Sequence, residues 1–289
     1  MAPSTAEHDK HGAELAEQRF HMLEDIAKEL AGEVIFPTCF DVAVRIRQLL
    51  DDPDISLDRI AQVVGVDPLL SSKLIALSNS SLYAGGATVR NVKAAVARLG
   101  LLAVRTVSLN TAMRQLLLSG KLANFDEITH RLWQHSLQTA AACHVMACRM
   151  TRINPDTAFL AGMVHDIGAF YMFYRASHYP ELLERPESLK HLVTQWHESI
   201  GISVLSALGM PEEIVDATRD HDCLRTAPEL PRNLSDLVYI GNVMAGAHFE
   251  WLYKDYDNET LKQHRPGSQY LALKDEIDAY AEEISAIFS

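Results

Sequence analysis

The chain has 289 residues, 48% hydrophobic and 22% charged, a balance that suits a globular fold with one large core or two small ones. Its 26 Lys and Arg against 38 Asp and Glu leave a net charge of −12, which repels DNA and anionic lipid and disfavours wholesale binding to either. No apolar run is long enough to span a bilayer, and the opening MAPSTAEHDKHGAELAEQ lacks the apolar stretch of a signal peptide, so a cytoplasmic protein is expected.

Helical periodicity runs through almost the whole chain, and no convincing alternating pattern interrupts it. Residues 13–31 place Leu15, Phe20, Leu23, Ile26, Ala27 and Leu30 near helical spacing, as in a leader helix folded onto the body or, alternatively, docked on a partner or second copy. A helix over 38–51 stops at Asp51-Asp52-Pro53-Asp54. Ser56 then caps a helix ending at Gly65, and Asp67-Pro68 opens another that closes near Asn79. Residues 83–88, with Gly85 and Gly86, read as a loop. Asn91 caps a helix to Gly100, and an apolar helix follows to about Ser119, before Gly120. Further helices cover roughly 126–151, a segment from Asn154-Pro155-Asp156 carrying Phe159, Leu160, Met163 and Val164, then 188–208, 211–221, 231–249 and 269–288. The segments 226–232 and 254–267 are rich in turn formers.

The segment IAQVVGVDPLLSSKLIALSN reads like a helix-turn-helix, but Leu69, Leu70, Leu74, Ile75 and Leu77 are expected to be buried, which leaves little recognition face. Cys39, Cys143, Cys148 and Cys223 form no CxxC pair and are expected as small buried hydrophobes. Trp133, Trp196 and Trp251 read as core aromatics. Between Asp67 and Asp126 there is no acidic residue, while Lys73, Arg90, Lys93, Arg98, Arg105, Arg114 and Lys121 occur there. Such a segment can receive an anion, with Lys73, Arg90, Lys93, Arg98 and Arg105 as candidates; the simpler expectation is that these cations pair with the acidic remainder.

Five residues carry the chemistry: His135, His165, Asp166, His197 and His221, each in or beside a helix-like segment with apolar neighbours. Neutral imidazole offers a nitrogen lone pair and is the commonest metal ligand. On a continuous helix His165 and Asp166 would point about 100° apart, so other helices of a bundle must supply the rest of any shared centre.

The local context of these residues resembles a known family. AFLAGMVHDIGAF (158–170) looks like the central motif of HD metal-dependent phosphohydrolases, and RLWQHSLQTA (131–140) like the helix supplying their first metal histidine. HESIGISVLSALGMPEEIVDATRDHD (197–222) looks like the downstream histidine helices of the HD-GYP branch and its HDOD relatives. The run from Phe36 to Tyr83, with Asp67-Pro68 and Asn79-Ser80, followed by VKAAVARLG (92–100), is similar to HDOD proteins more narrowly. The likeness covers roughly 34–225. It implies an all-α fold with two helical halves, the second resembling an HD domain: a leader at 1–33, an HDOD domain at 34–225 divided into 34–123 and 124–225, and C-terminal helices at 226–289 completing the bundle.

The resemblance puts metal ligands at His135, His165 and Asp166, with His197 and His221 where the HD-GYP branch has further histidines and Asn242 where a full HD site ends in Asp. Ala169 stands where active HD-GYP enzymes have Lys, and Asp222-Cys223-Leu224 replaces the GYP signature. With Asp166 as the one carboxylate, a second divalent ion is hard to balance. One divalent transition metal (Fe, Mn, Ni or Zn) or an empty, hydrogen-bonded site both remain open. The implied function is a non-catalytic bacterial signal-transduction output or scaffold module, acting with a separate sensor or receiver chain and a nucleotide ligand, with a homodimer left open. The alternative is an HD-type phosphohydrolase acting on a nucleotide or cyclic dinucleotide. Nucleic acid is disfavoured as a partner, and no membrane is expected.

Overall fold

The computed structural model describes residues 13–31, 40–50, 52, 54–83, 87–118, 122, 125–246 and 266–288, and among them it is all-α, without a strand. Cys39, Gly85, Gly86, Gly120, Lys121 and Trp251 lie outside the described residues. The described residues form two compact units, one from 36–118 and 279–289 and the other from 1–35 and 119–278.

In the first unit, α2 (Asp41–Leu50), α3 (Leu57–Gly65) and α4 (Pro68–Asn79) pack against α5 (Val92–Leu118). The caps follow from the sequence. Ser56 accepts from Arg59 N, Asp67 accepts from Leu69 N and Leu70 N, and Asn91 accepts from Ala94 N, each satisfying a free first-turn amide. Gly100 kinks α5 with φ at 79°, a left-handed conformation that a side chain would strain. Asn79 clasps the returning loop. Its Nδ2 donates to Ile75 O and Val89 O, and its Oδ1 accepts from Val89 N at 2.8 Å. Ser81 donates from N and Oγ to the carboxylate of Glu283.

Leu70, Leu74 and Leu77 form the buried stripe of α4, whereas Leu69 is exposed and Ile75 half-buried, contrary to expectation. Positions 70, 74 and 77 share one helix face and Leu69 stands a full residue step, about 100°, off it. Of the basic candidates, Lys93 pairs with Asp58 and Arg98 donates to Ser78 O and Ala87 O. Arg90 is exposed. Lys73 is half-buried close to Arg114, and burial followed by that like charge lowers its pKa.

The second unit centres on α6 (Asp126–Met150), which packs against α7 (Pro155–Val164) and α12 (Leu234–Ala245). Ser136, Thr139, Ala140, Ala141 and Ala142 are buried along α6, and these small side chains let its neighbours approach closely. The hydrophobic α8 (Ile167–Ala176) is buried almost all round, as expected of a central helix. It packs against α10 (Pro186–Ala207), which follows the short α9 (Pro180–Leu183), and α11 (Glu212–Ala217) links α10 to α12. The leader α1 (Ala13–Ala31) lies on α8, α9 and α10, with Tyr179 OH donating to Asp25 and Glu181 N to Gln18 Oε1. Its buried stripe is Leu15, Met22 and Ile26. Phe20 and Ala27 face solvent, because the packed face is narrower than the apolar spacing suggested.

Two further expectations are corrected here. Trp133 is buried but Trp196 is exposed. Cys143 is buried and its Sγ donates to Leu237 O, whereas Cys148 and Cys223 are exposed thiols, one on the outer face of α6 and one in the turn after α11. The helix begun at Pro155 carries Phe159 to Val164 as expected and stops there, and α8 starts at Ile167.

A close backbone approach joins α8 to α10 at Gly168 and Gly201. A Cβ on Gly168 would sit 1.9 Å from His197 O and 2.5 Å from Gly201 N. No rotamer relieves a clash with backbone, so this contact sets the spacing between the helix that begins after Asp166 and the helix that carries His197. Gly168→Ala should cost at least about 1–3 kcal/mol of stability, the range for overpacking a core. Urea denaturation checks this, and a variant as stable as wild type would contradict the packing described.

Candidate metal centre

Each candidate residue reaches the centre of the second unit from a different element. His135 comes from the middle of α6 and His197 from α10. His165 and Asp166 occupy the junction between α7 and α8. This break lets the adjacent pair face one point, where a continuous helix would have spread them. Asp220 takes a left-handed backbone with φ at 53°, a conformation Asp tolerates better than most residues, and so turns the chain to present His221 and Asp222. Asn242 comes from α12. His135, His165, Asp166, His221 and Asn242 are each at most 2% exposed and His197 is 6% exposed.

Backbone carbonyls fix the orientation of three rings. His165 Nδ1 donates to Gly162 O at 2.7 Å, His197 Nδ1 to Val193 O at 2.8 Å and His221 Nδ1 to Thr218 O at 2.7 Å. In a neutral imidazole with Nδ1 protonated, Nε2 carries the lone pair. All four Nε2 atoms turn toward Asp166. Its Oδ2 lies 3.2 Å from His165 Nε2 and 3.7 Å from His135 Nε2. Its Oδ1 lies 3.2 Å from His221 Nε2 and 3.6 Å from His197 Nε2. Within each pair the nitrogens are close as well, 3.2 Å for His135 and His165 and 3.3 Å for His197 and His221.

A second carboxylate joins this set. Asp222 Oδ2 is 3.1 Å from His197 Nε2 and 3.6 Å from His221 Nε2. The expectation of a single carboxylate is therefore corrected. The signal for it is its place beside His221, where the resemblance marks only the absence of the GYP signature. Asn242 Nδ2 donates to Asp222 Oδ1 at 2.9 Å and to His221 O at 3.0 Å, which holds the acid in place. Lys73, Arg90, Lys93, Arg98 and Arg105 belong to the other unit and take no part in this cluster.

Facing lone pairs about 3 Å apart in a buried site repel each other. They are stable only with positive charge between them, either protons or a metal ion. In the proton-filled state the carboxylates and imidazoles hold one another. Burial pushes Asp166 up, but His165 and then His221 outweigh it and keep the carboxyl well below its usual range. Burial likewise opposes ionisation of Asp222, and His221 and His197 reverse the effect. Burial lowers His197, but Asp222 and Asp166 raise it overall. Burial also lowers His221, yet Asp222, Asp166 and the Thr218 carbonyl lift it to about 10.

The donor set fits a metal equally well. Four imidazole nitrogens with two carboxylates suit a divalent transition ion, and the backbone carbonyls behind three of the rings are the outer support such ligands need. Two buried groups of potential ligands meet the spacing requirement, His135 with His165 and Asp166, and Asp166 with His197 and His221.

Residues 36–224 match the HDOD domain model. A crystal structure from Shewanella amazonensis SB2B, of a protein provisionally named a metal-dependent phosphohydrolase, is 26% identical with a TM-score of 0.70, covering 94% of this chain and 100% of that one. An HDOD domain protein of unknown function from Geobacter sulfurreducens is 21% identical with a TM-score of 0.58, covering 94% and 99%. An uncharacterized protein from Treponema pallidum (strain Nichols) is 24% identical over 217 residues, which are 69% of this chain but 40% of that protein's length.

The metal-stripped protein should show a specific pH dependence. With His221 lifted from 6.5 to about 10, its imidazolium stabilises the fold fully below pH 6.5 and that stability is lost as pH rises through about 10. The lowered Asp166 and Asp222 contribute above their ordinary 3.8 and lose their contribution as pH falls below it. The Tm of EDTA-treated wild type should therefore fall relative to His221→Gln between pH 6.5 and 10. A gap that stays constant across that window would contradict the ion-paired cluster.

Proposed function

This chain belongs to the HDOD domain family, and from that premise we propose that it is a signal-transduction output or scaffold module whose HD-type site holds one divalent transition metal without catalysing phosphodiester hydrolysis. The observation that carries the reading is the burial of the converging donors, five of them at most 6% exposed and the sixth, Asp222, with its side chain 14% exposed. Structural metal sites are closed by protein ligands, whereas catalytic ones keep a position open to substrate. His135, His165, Asp166, His197, His221 and Asp222 are the donors available to the ion. When bound, it supplies the positive charge that the facing lone pairs and carboxylates require, and it joins the elements that carry its ligands. Two carboxylates balance one divalent ion, whereas a second would add uncompensated charge to a buried site. Ala169, buried on α8, gives no cation to steady a phosphate. The chain would then act through protein contacts with a sensor or receiver, in the cytoplasm. Among the described residues no helix is long and apolar enough to cross a membrane.

A phosphohydrolase reading is favoured by one observation: Asp166 offers an oxygen to each of two imidazole pairs, an arrangement that two ions can share in clamping a phosphate. The name of the Shewanella protein points the same way.

Elemental analysis of untagged protein purified without chelators, with hydrolysis of bis(p-nitrophenyl) phosphate and of cyclic dinucleotides, separates the two. About one Fe, Mn, Ni or Zn per chain is expected, with turnover no faster than that of the His165→Ala, Asp166→Ala double variant. Turnover abolished in the double variant would establish the enzyme, and wild type without metal would defeat the metal-holding reading.

A further inference from the structure

The two halves of the cluster are unequal. The upstream half has three donors, His135, His165 and Asp166 Oδ2, with separations of 3.2, 3.2 and 3.7 Å. The downstream half has His197, His221, Asp166 Oδ1 and, from its outer side, Asp222 Oδ2. A four-coordinate ion with bonds of about 2.0–2.2 Å places its donors roughly 3.3–3.6 Å apart, the edge of a tetrahedron of that size. The His197, His221 and Asp166 Oδ1 donors stand 3.3, 3.6 and 3.2 Å apart, and Asp222 Oδ2 lies 3.1 and 3.6 Å from the two imidazole nitrogens.

We infer that Asp222 is a metal ligand, completing a four-donor site with His197, His221 and Asp166 that takes the first ion, while the His135 and His165 half is a weaker second site. This rests on the reading of the cluster as a metal centre and specifies where the ion goes. Three features distinguish the downstream half. It has four protein donors against three. It brings two carboxylates to the ion, so a divalent cation there is neutralised, and a second ion upstream must share Asp166 and enters a site with no spare negative charge. Its outer ligand is also the most accessible of the set, with the Asp222 side chain 14% exposed against 1% for His135 and 0% for His165, which gives the ion a way in. Asn242 acts as a positioning residue. It touches no ion, but its amide fixes Asp222 Oδ1 and leaves Oδ2 to face the imidazoles.

The test is a Co(II) titration of the metal-stripped full chain, followed by visible absorption and calorimetry, with circular dichroism to confirm that each variant keeps its helices. The first equivalent should give the intense visible bands of tetrahedral Co(II). Asp222→Asn should weaken that first step at least ten-fold and reduce the bands. Asn242→Ala should weaken it roughly ten-fold, as loss of an outer support does. His135→Ala should act on the second, weaker step. If His135→Ala weakens the first step as much as Asp222→Asn or more, the inference is overturned. If Asp222→Asn loses its helicity, the decision passes to Asn242→Ala, and an unchanged first step there overturns the inference. A wild type that binds no Co(II) overturns the metal-centre reading itself, a result distinct from a reversed order of effects.

Discussion

Four imidazole nitrogens and a carboxylate are brought together where water is excluded, and the rest of the second unit follows from that crowding. Lone pairs held about 3 Å apart cannot persist without positive charge among them. The protein fixes three of the rings from behind, through Gly162, Val193 and Thr218 carbonyls, so they cannot turn away from one another. Either protons or a cation must fill the centre. The carboxylates of Asp166 and Asp222 set how much charge is accommodated, two protons or one divalent ion.

The backbone supplies the convergence. Ending α7 at Val164 and restarting at Ile167 turns adjacent residues toward one point. The glycine contact between Gly168 and Gly201 brings α10 near enough for His197 to meet Asp166. The left-handed turn at Asp220 swings His221 and Asp222 inward. Each of these backbone features decides where a polar side chain points. Asn242 supports the second acid: its amide donates to Asp222 Oδ1, which leaves Oδ2 beside His197 and His221.

The helices and the identity of the five central residues were legible from periodicity, caps and motif context, because those signals are local. Ser56, Asp67 and Asn91 cap as their types dictate. What depended on tertiary packing was not legible. Leu69 and Phe20 look like core residues by spacing, but each lies off the face that packs. Trp196 is apolar enough for the core yet sits on the outer side of α10. The break at His165 and Asp166 leaves no Gly or Pro signal at the junction itself, so its geometry is not readable from the sequence. Nothing local marks Asp222 as a donor, because whether an acid beside a histidine faces the cluster depends on which way the turn sends it.

The most direct measurement of the central claim is anomalous diffraction at the metal absorption edges, from crystals of untagged protein never exposed to chelators. The account predicts one strong peak enclosed by His197 Nε2, His221 Nε2, Asp166 Oδ1 and Asp222 Oδ2. Crystals with no anomalous peak in the cluster, the imidazoles instead joined by hydrogen bonds to the carboxylates, would contradict it.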